Sequence, residues 1–507
     1  MADIYSQQQR VVTLLLILLL AAVVRLPFML DPGLTGDEVN YIMIARCGLS
    51  DILFGKALDP SNPPLYMALL HGIMTPAGER VWVWKLGSVL CNMGFIVLLM
   101  TLSRRWVDNK TAVLAGLLAA IHPWQVYLGT EVRGYALAAL LAMLVIAGAD
   151  GYQRRHRLGW LGLWVLASVA GFLTHYSVVG VSMVTGLYLL WTVRHDRRQA
   201  ARVCIAGAVA AALCGLWLPL LVSQPMNLGG SAENVWHLAG LFVVQTLGTT
   251  YLRPALPIFW LVAGGVLALL VFAAPLVSGF FALWKTNQRT ALMTALLFIV
   301  AILLPLTRSL FIGSLSFSTR YTFVANMCIL LCLAAGLARW QRPLRLAFLG
   351  GIVALSAVSL YQFKYVYVGR SDPAAIYERI GRCVTVDDAI VLPRIHLAMH
   401  AEYFAEGQLA NLFIVREGRP GCWPVPSGAN WVDICQAQNA PDRHFTATGC
   451  EQLRKHDRVW CWQFGKQEDL PEMLDQRYAL DQRHVISPGG QFGAETVIYL
   501  TRYTRLP

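Results

Sequence analysis

Long apolar runs follow one another along most of the chain, and short polar connections separate them. Most runs approach the length that an α-helix needs to cross a bilayer, about twenty residues. The pattern predicts a mainly α fold, a polytopic transmembrane bundle with about eleven spans. The predicted spans lie near 11–30, 82–102, 111–129, 134–149, 159–175, 177–193, 203–222, 256–284, 290–308, 320–338 and 346–363.

Basic residues concentrate in every second connection between these spans. Because lysine and arginine are retained on the cytoplasmic side, the alternation predicts a cytoplasmic amino terminus. With an odd number of spans, the loops 31–81 and 223–255 and the segment after Lys364 lie on the external face. The basic connections contain Arg104, Arg105 and Lys110; Arg154, Arg155 and Arg157; Arg194, Arg197, Arg198 and Arg202; Lys285 and Arg289; and Arg339, Arg342 and Arg345.

The composition changes after Tyr367, where charged and turn residues become frequent. Short runs of β-branched and aromatic residues there are typical of strands. About 140 residues suffice for a small domain with its own core. We therefore predict a transmembrane domain over 1–366 and an external, periplasmic α/β domain over 367–507. The strand-like runs are 389–392, 459–462 and 496–500.

Five of the eleven cysteines lie in this carboxy-terminal segment. In an oxidising external compartment such cysteines form disulfides, so one or two are expected, with the pairing left open. Their spacing does not match a zinc site. The five are Cys383, Cys422, Cys435, Cys450 and Cys461.

The overall composition narrows the class of protein. Of 507 residues, 56% are hydrophobic and only 14% are charged, which excludes an ordinary soluble protein. The net charge of +12 comes largely from the basic connections, so membrane lipids and no nucleic acid are the expected surroundings. A lipid or ion transporter is the alternative class. It predicts charges deep in the spans or an internal repeat, and the prominent charges lie at span ends instead.

An acidic pair, Asp37 and Glu38, follows the first predicted span closely. Ionisable groups beside the hydrocarbon are costly, so the pair is a functional candidate, with a solvated loop start as the alternative. Apolar residues at helical spacing predict an amphipathic helix on the membrane surface over about 39–56. The prolines of segment 59–66 then predict an extended return toward the bilayer.

Five short motifs occur in a fixed order along the chain. They are Arg25 followed by Asp37, Glu38 and Tyr41; Asn62-Pro-Pro-Leu-Tyr66; Pro123-Trp-Gln-Val126 with Thr130-Glu-Val-Arg-Gly-Tyr-Ala-Leu137; Thr174-His-Tyr176; and Thr319-Arg-Tyr321. In this order they resemble the membrane glycosyltransferases of the C-type fold. The similar group is family 39, with the protein O-mannosyltransferases and the lipid A aminoarabinose transferases. One departure is Asn62, where that group commonly has histidine.

The resemblance implies a reaction and its partners. The donor is a sugar on a polyprenyl phosphate, and the acceptor is a hydroxyl of an envelope lipid, a polysaccharide or a protein at the external face. Transfer is expected to invert the anomeric configuration. A divalent metal is not expected to be required, because a lipid phosphomonoester leaving group carries less charge than a nucleotide diphosphate. The implied location is the bacterial cytoplasmic (inner) membrane.

The resemblance also suggests roles for the residues that match its motifs. Asp37 is the predicted general base, and Glu38 orients the acceptor or Asp37, although the two could exchange roles. Arg133 and Arg320 are predicted to hold the departing phosphate, with snorkelling to the interface as the alternative for each. The remaining candidates for the donor site are Glu131, Tyr135, Tyr66, Asn62, His175 and Lys85; for Lys85 snorkelling is the favoured alternative.

Overall fold

The computed structural model describes residues 7–31, 33–54, 62–78, 80–219, 258–312, 319–367, 380, 382–385, 387–392, 403, 411–415, 422–425, 447–464, 478–487 and 498–505. The chain divides into two compact units. The helical unit comprises Met1–Asp31, Asp59–Tyr66 and Ala77–Tyr361. The sheet unit comprises Pro32–Leu58, Met67–Pro76 and Gln362–Pro507.

Helices dominate the described residues. They are α1 Gln7–Met29, α2 Gly36–Arg46, α3 Leu49–Phe54, α4 Leu65–Ala77, α5 Val81–Trp106, α6 Asn109–Ile121, α7 Pro123–Leu128, α8 Tyr135–Arg155, α9 Leu158–Phe172, α10 Val178–Val193, α11 Arg197–Gly215, α12 Ile258–Thr286, α13 Gln288–Ile312, α14 Phe323–Leu337, α15 Arg342–Tyr361 and α16 Ala447–Leu453. A 3-10 turn, Thr319–Thr322, precedes α14, and a π-helical turn, Gln362–Tyr367, follows α15.

Each predicted span overlaps one or two helices where the structure describes it, which confirms a mainly helical membrane bundle. Within the described residues, six helical stretches are long and apolar enough to cross a bilayer. Further apolar helices, including α6, α9, α10 and α14, are shorter. The count of about eleven spans therefore remains a prediction. The six stretches are Gln7–Met29, Val81–Trp106, Tyr135–Arg155, Leu269–Thr286, Gln288–Leu306 and Arg342–Lys364.

Three local expectations were wrong. The run 111–129 forms two helices, α6 and α7, because Pro123 lacks an N–H and opens a new helix. The surface helix expected over 39–56 is interrupted at Cys47 and Gly48, between α2 and α3. The segment after the paired prolines is helical from Leu65, as α4, and not extended; residues 55–61 lie outside the described part.

Close helix packing holds the bundle together. Helices α12 and α14 approach so closely that a Cβ added to Gly279 would overlap the carbonyl oxygen of Cys332, and one added to Gly336 would overlap that of Pro275. Small residues permit this backbone approach in membrane bundles, where van der Waals packing replaces the hydrophobic drive. Large side chains such as Trp84 and Phe95 are fully buried elsewhere in the same unit.

The sheet unit contains a six-stranded mixed sheet of order β3-β2-β1-β4-β6-β5. Strand β1 runs parallel to β2 and β4, and the other neighbours are antiparallel. The predicted strands 389–392 and 459–462 are confirmed, and the run 496–500 contributes the start of β6. The strands are β1 Ala389–Leu392, β2 Leu412–Val415, β3 Cys422–Pro424, β4 Arg458–Phe464, β5 Tyr478–Ser487 and β6 Ile498–Arg505.

A disulfide joins Cys422 of β3 to Cys450 of α16. It confirms the expectation of at least one disulfide in this segment, and Cys461 is a buried free thiol. The bond ties the short helix to the edge of the sheet.

Candidate active site

The acidic pair lies in the first turn of α2, in the sheet unit. Oε2 of Glu38 accepts hydrogen bonds from the Thr35 backbone N–H at 2.7 Å and from the Thr35 hydroxyl at 2.8 Å. Glu38 is buried and holds the start of the helix, as the residue at position N3 of a capping box does. Asp37 is exposed. Both carboxylates face the positive end of the helix dipole, which favours negative charge.

Other contacts within the sheet unit fix the far end of α2. His71 Nδ1 lies 2.8 Å from the carbonyl oxygen of Ala45. The Arg46 guanidinium lies over the ring of Tyr403, 4.8 Å from its centroid. A helix held at both ends presents Asp37 in a defined position within its unit.

Four motif segments that are distant in the sequence meet in the helical unit. The Leu65 N–H donates to the carbonyl oxygen of Leu173 at 2.9 Å. A Cβ added to Gly134 would lie 3.4 Å from both the Tyr66 Cβ and the Thr174 carbonyl oxygen. The segments 62–66, 130–135 and 174–176 therefore share one site, and Tyr321 joins them through His175 as described next.

A cation and four aromatic rings form the centre of this site. The Arg133 guanidinium lies 4.8 Å from the centroid of Tyr135. The His175 ring lies 5.4 Å from Tyr135 and 5.5 Å from Tyr321, with Phe323 at 5.6 Å. Such contacts place a guanidinium against the negative face of a ring and restrict its orientation.

The imidazole of His175 is also oriented. The Ser177 N–H donates to its Nδ1 at 3.3 Å. A neutral ring that accepts at Nδ1 carries its proton on Nε2. The ring of His175, with its proton on Nε2, packs between Tyr135 and Tyr321.

Ser88 of α5 joins two of the motif segments and was not predicted. Its hydroxyl donates to the Glu131 carbonyl oxygen at 2.6 Å, and the Tyr66 hydroxyl lies 3.3 Å from the Ser88 oxygen. Glu131 itself is buried. No pattern in the sequence distinguishes this serine from others within apolar runs.

Lys85 lies one turn earlier on α5 and is buried. Its ammonium donates to the carbonyl oxygen of Asp31 at 2.7 Å and reaches that of Phe28 at 3.4 Å. A cation at the carboxyl end of a helix satisfies the last carbonyls and complements the dipole. Lys85 therefore caps α1 and does not snorkel.

A buried chain of polar side chains lies beside these segments. Arg25 is fully buried, and its guanidinium donates to the Ala120 carbonyl at 2.8 Å, the Ala119 carbonyl at 3.3 Å and the Asn92 amide oxygen at 2.7 Å. Asn92 donates to Gln125 at 2.8 Å, and Gln125 donates to Asn326 at 2.7 Å. This polar chain, Arg25-Asn92-Gln125-Asn326, links α1, α5, α7 and α14.

The order of donors in the polar chain follows from Arg25. A guanidinium can only donate, so Asn92 must present its oxygen to it and its N–H₂ to Gln125, which repeats the arrangement toward Asn326. Asn92 also abuts the turn before Arg133, because a Cβ added to Gly129 would lie 2.9 Å from the Asn92 Cγ. The chain therefore supports the corner between α6 and the segment 130–135.

Two predicted residues are less well defined. Asn62 is half-buried beside the buried Pro63 and Pro64. Arg320 lies in the 3-10 turn before α14, and its side chain falls outside the described part. Its role in binding phosphate stays a prediction.

Two further observations delimit the site. Among the described residues, no group of three or more His, Cys, Asp or Glu side chains is arranged to hold a metal ion. A cavity of about 380 Å³ lies at the other end of α1 and α5, beside Arg10 and Arg104, and none of the predicted site residues lines it.

Part of the chain is similar to a known protein family. Residues 61–220 match a family model described as dolichyl-phosphate-mannose-protein mannosyltransferase. This segment includes Tyr66, Arg133 and His175. No match was found among curated protein sequences.

Solved structures show the fold. The chain is similar to apo ArnT from Cupriavidus metallidurans, with 16% identity, a TM-score of 0.59 and coverage of 96% of this chain and 97% of that one. It is also similar to ArnT from the same organism bound to undecaprenyl phosphate, with 14% identity, a TM-score of 0.49 and coverage of 96% and 97%. A third similar structure is the arabinofuranosyltransferase AftD from Mycobacteria, with 12% identity, a TM-score of 0.49 and coverage of 99% and 40%. The chain thus has the fold of the membrane glycosyltransferase ArnT, and its residues 61–220 match the model of the dolichyl-phosphate-mannose-protein mannosyltransferase family, in agreement with the resemblance seen in the motifs.

Proposed function

We propose that this protein is an integral membrane glycosyltransferase that moves a sugar from a polyprenyl phosphate to an acceptor hydroxyl. The observation that carries the proposal is the family match over residues 61–220, which contain the assembled Tyr66, Arg133 and His175. The family is described by a donor of this class, a sugar on a lipid phosphate. The acceptor is an envelope lipid, a polysaccharide or a protein.

The proposed reaction breaks the bond between the anomeric carbon and the phosphate oxygen. The acceptor oxygen attacks that carbon from the opposite side, so the configuration inverts, and polyprenyl phosphate leaves with the bonding electrons. Negative charge grows on the phosphate, and a fixed cation stabilises it more in the transition state than in the ground state. We assign this role to Arg133, whose planar guanidinium suits phosphate oxygens, and to Arg320.

The other residues around Arg133 support its role. Tyr135 and His175 restrict the guanidinium through the ring contacts, and His175 Nε2 and the Tyr66 hydroxyl supply neutral hydrogen-bonding groups for the donor. Glu131 and Asn62 remain candidates for the sugar hydroxyls. Lys85 holds the end of α1, and a contact of Lys85 with the phosphate remains a secondary proposal.

The acceptor must lose a proton as its oxygen attacks. We assign this proton to Asp37, an exposed carboxylate that can serve as general base. Glu38 acts indirectly, because its hydrogen bonds from Thr35 hold the helix turn that carries Asp37. In this assignment Glu38 is a positioning residue.

Asn92 and Gln125 are further positioning residues. They transmit the fixed orientation of Arg25 to α7 and to the turn before Arg133. A displacement of about 1 Å in such a support can reduce rates by about a hundredfold. We therefore expect the polar chain to affect the placement of the phosphate ligand through the position of Arg133.

We place the reaction at the external face of the bacterial cytoplasmic membrane, with the amino terminus inside. The alternating basic connections support this orientation. The Cys422–Cys450 disulfide supports an oxidising compartment for the sheet unit. We propose no obligatory metal, and transfer that continues in excess EDTA is the expected result.

The direct test is transfer in vitro with purified protein, a labelled polyprenyl-phosphate sugar and candidate acceptors. We expect Asp37→Asn and Asp37→Ala to lose about a hundredfold or more in kcat, because general base catalysis contributes about 10²–10⁴-fold. Asp51→Asn, which changes an acidic residue of α3, is the matched control and should retain activity. Full turnover in both Asp37 variants would show that another group is the base.

The same preparation separates the transporter alternative. In liposomes that contain the protein and no acceptor, a transporter moves lipid or ions across the bilayer, whereas a transferase moves neither. Flux without acceptor, together with no transfer to any acceptor, would contradict the proposed function.

A further inference from the structure

The cavity of about 380 Å³ is bounded by α1, α5 and α6, at the end where α1 begins, α5 ends and α6 begins. Its volume lies within the range of ordinary small-molecule sites, about 300–1,000 Å³. It is distant along both long helices from the residues of the proposed donor site. An inference about it is therefore independent of the proposed function.

The polar groups that line the cavity are suited to an anion. Arg10 and Arg104 supply two guanidinium groups, and Gln7 and Asn109 add amide N–H₂ donors. The hydroxyl protons of Thr13 and Thr101 are already donated to carbonyls of their own helices, at 2.8 and 2.7 Å. No carboxylate lines the cavity among the described residues, so the lining carries a charge of +2.

The nearest acidic group along the chain is committed elsewhere. Asp108 precedes α6, and its carboxylate accepts a hydrogen bond from the Thr111 N–H at 2.7 Å as a helix cap. Lys110 lies in the first turn of α6, where Arg339 and Arg345 interact with it electrostatically. Neither Asp108 nor Lys110 lines the cavity, so the charge of the described lining stays at +2.

The rest of the lining is apolar and follows the membrane-spanning helices. Val11 and Leu14 of α1, Val97 and Met100 of α5 and Val113 of α6 form the wall. Val11 is half exposed, at 50%, which leaves the cavity open toward the surroundings of α1. A cationic mouth above an apolar wall matches an amphiphile with an anionic head and a hydrocarbon chain.

We propose that this cavity binds one anionic phospholipid. Its phosphate is held by Arg10 and Arg104, and part of an acyl chain lies along Val11, Leu14 and Met100. Basic pockets between membrane helices recognise such head groups, and each basic residue near the surface contributes about a fivefold change in binding. A free phosphate ion would leave the apolar wall without a ligand.

The experiment measures phospholipid retained by the full-length protein. The protein is equilibrated with mixed micelles of phosphatidylglycerol and phosphatidylcholine, washed in detergent and analysed by mass spectrometry. Wild type should retain phosphatidylglycerol in preference to phosphatidylcholine. Arg10 and Arg104 are exposed, and the double variant Arg10→Gln with Arg104→Gln should retain about 25-fold less phosphatidylglycerol, at about fivefold for each arginine.

Two comparisons separate this cavity from general surface charge. Arg157→Gln with Arg198→Gln removes two exposed arginines from other basic connections and should leave retention unchanged. Val11→Trp fills the cavity from a half-exposed position, keeps both arginines and should abolish the preference. Soluble glycerol 3-phosphate should not displace the lipid.

Three results would overturn the proposal. One is equal retention of the two phospholipids by wild type. Another is an equal loss in the Arg10/Arg104 and Arg157/Arg198 pairs, which would assign retention to general charge. The third is complete displacement by glycerol 3-phosphate, which would show a phosphate ion site without a lipid.

Discussion

Two of the charged side chains buried in the helical unit, Arg25 and Asp150, are stabilised in opposite ways. Arg25 is fully buried, and among the described residues its guanidinium donates to carbonyl and amide oxygens and to no carboxylate. Asp150 is 3% exposed and lies between two arginines: Arg154 Nε at 3.0 Å and an Arg105 nitrogen at 3.5 Å. The Trp106 indole adds a hydrogen bond to Asp150 at 2.9 Å.

Asp150 has local partners at one end of the bundle, whereas Arg25 supports several helices. The partners of Asp150 are themselves 33% and 40% exposed, so water can replace much of what they provide. Arg25 satisfies two carbonyls at the end of α6 and also sets the donor order of Asn92 and Gln125. A substitution of Arg25 is therefore expected to affect several helices and the segment that carries Arg133.

The largest expected effect is the loss of Arg25. Arg25→Met leaves the Ala119, Ala120 and Asn92 oxygens buried without this donor, at about 1–3 kcal/mol for each unsatisfied group. We expect the free energy of unfolding to fall by about 3 kcal/mol or more, measured by thermal unfolding in detergent. Arg25→Lys keeps the charge but not the planar set of N–H donors, so its free energy of unfolding should lie between those of wild type and Arg25→Met. If Arg25→Met lost less free energy of unfolding than Asp150→Asn, Arg25 would not be the more important of the two buried charges.

A substitution in the polar chain at a distance from Arg25 tests whether the chain supports the site around Arg133. Gln125→Leu removes the amide contacts to Asn92 and Asn326, and we expect donor KM to rise about tenfold. Thr185→Val is the control, because it breaks a buried hydrogen bond from Trp164 of 2.8 Å between α9 and α10. Both variants should lose about 1–3 kcal/mol of stability. A similar rise in donor KM in both would reduce the polar chain to a structural role.

Asp150 should tolerate change better than Arg25. Asp150→Asn keeps an acceptor for the Trp106 indole and leaves two arginines that already contact water. We expect a loss of about 1 kcal/mol in stability and unchanged transfer. A large drop in kcat here would show that the basic end of the bundle also serves the chemistry.

The smallest expected effect is on the stability of the sheet unit, and it depends on the ionisation of Asp388 and therefore on pH. Burial raises the pKa of Asp388, but hydrogen bonds from Thr385 and Trp460 and the pairing with Arg458 outweigh it and hold this pKa below its ordinary value. The resulting stability is present above the ordinary pKa of about 3.9 and is lost as the pH falls through the lower folded value.

Hydrogen exchange in β1 and β4 measures this effect. Asp388→Asn should exchange faster than wild type at neutral pH, and the difference should shrink as the pH falls below 4. A difference that stays constant over this range would show that ionisation of Asp388 does not contribute. Arg25, which stays protonated throughout, offers no such dependence.

Much of the helical fold was predictable, because apolar runs of sufficient length have few alternatives in a bilayer. Helix α4 was not predicted, because Pro63 and Pro64 were interpreted as a sign of an extended chain. Proline is also compatible with the start of a helix, and α4 begins at Leu65. Short strands such as β2 and β3 lack the length to be read from periodicity. Their pairing depends on contacts distant in sequence.

The candidate site was predictable as a set of motifs but not as an assembly. The contacts of Tyr66, Gly134 and His175 depend on how the helices pack, which no single motif specifies. Asn92 and Gln125 carried a signal that was overlooked, since a polar amide within an apolar run is rarely accidental. The spacing Thr35-x-x-Glu38 also matches a capping box, which explains why Glu38 is buried and Asp37 is exposed.

We expect the site around Arg133 to bind the phosphate of a lipid carrier and the basic cluster around Asp150 not to bind it. Titration of a polyprenyl phosphate against purified protein tests it most directly, with Arg133→Gln compared with Arg154→Gln. We expect the polyprenyl phosphate to bind about tenfold more weakly to Arg133→Gln, because a charge-assisted contact is lost, and to bind Arg154→Gln with wild-type affinity. Equal affinity in both variants and wild type would contradict it.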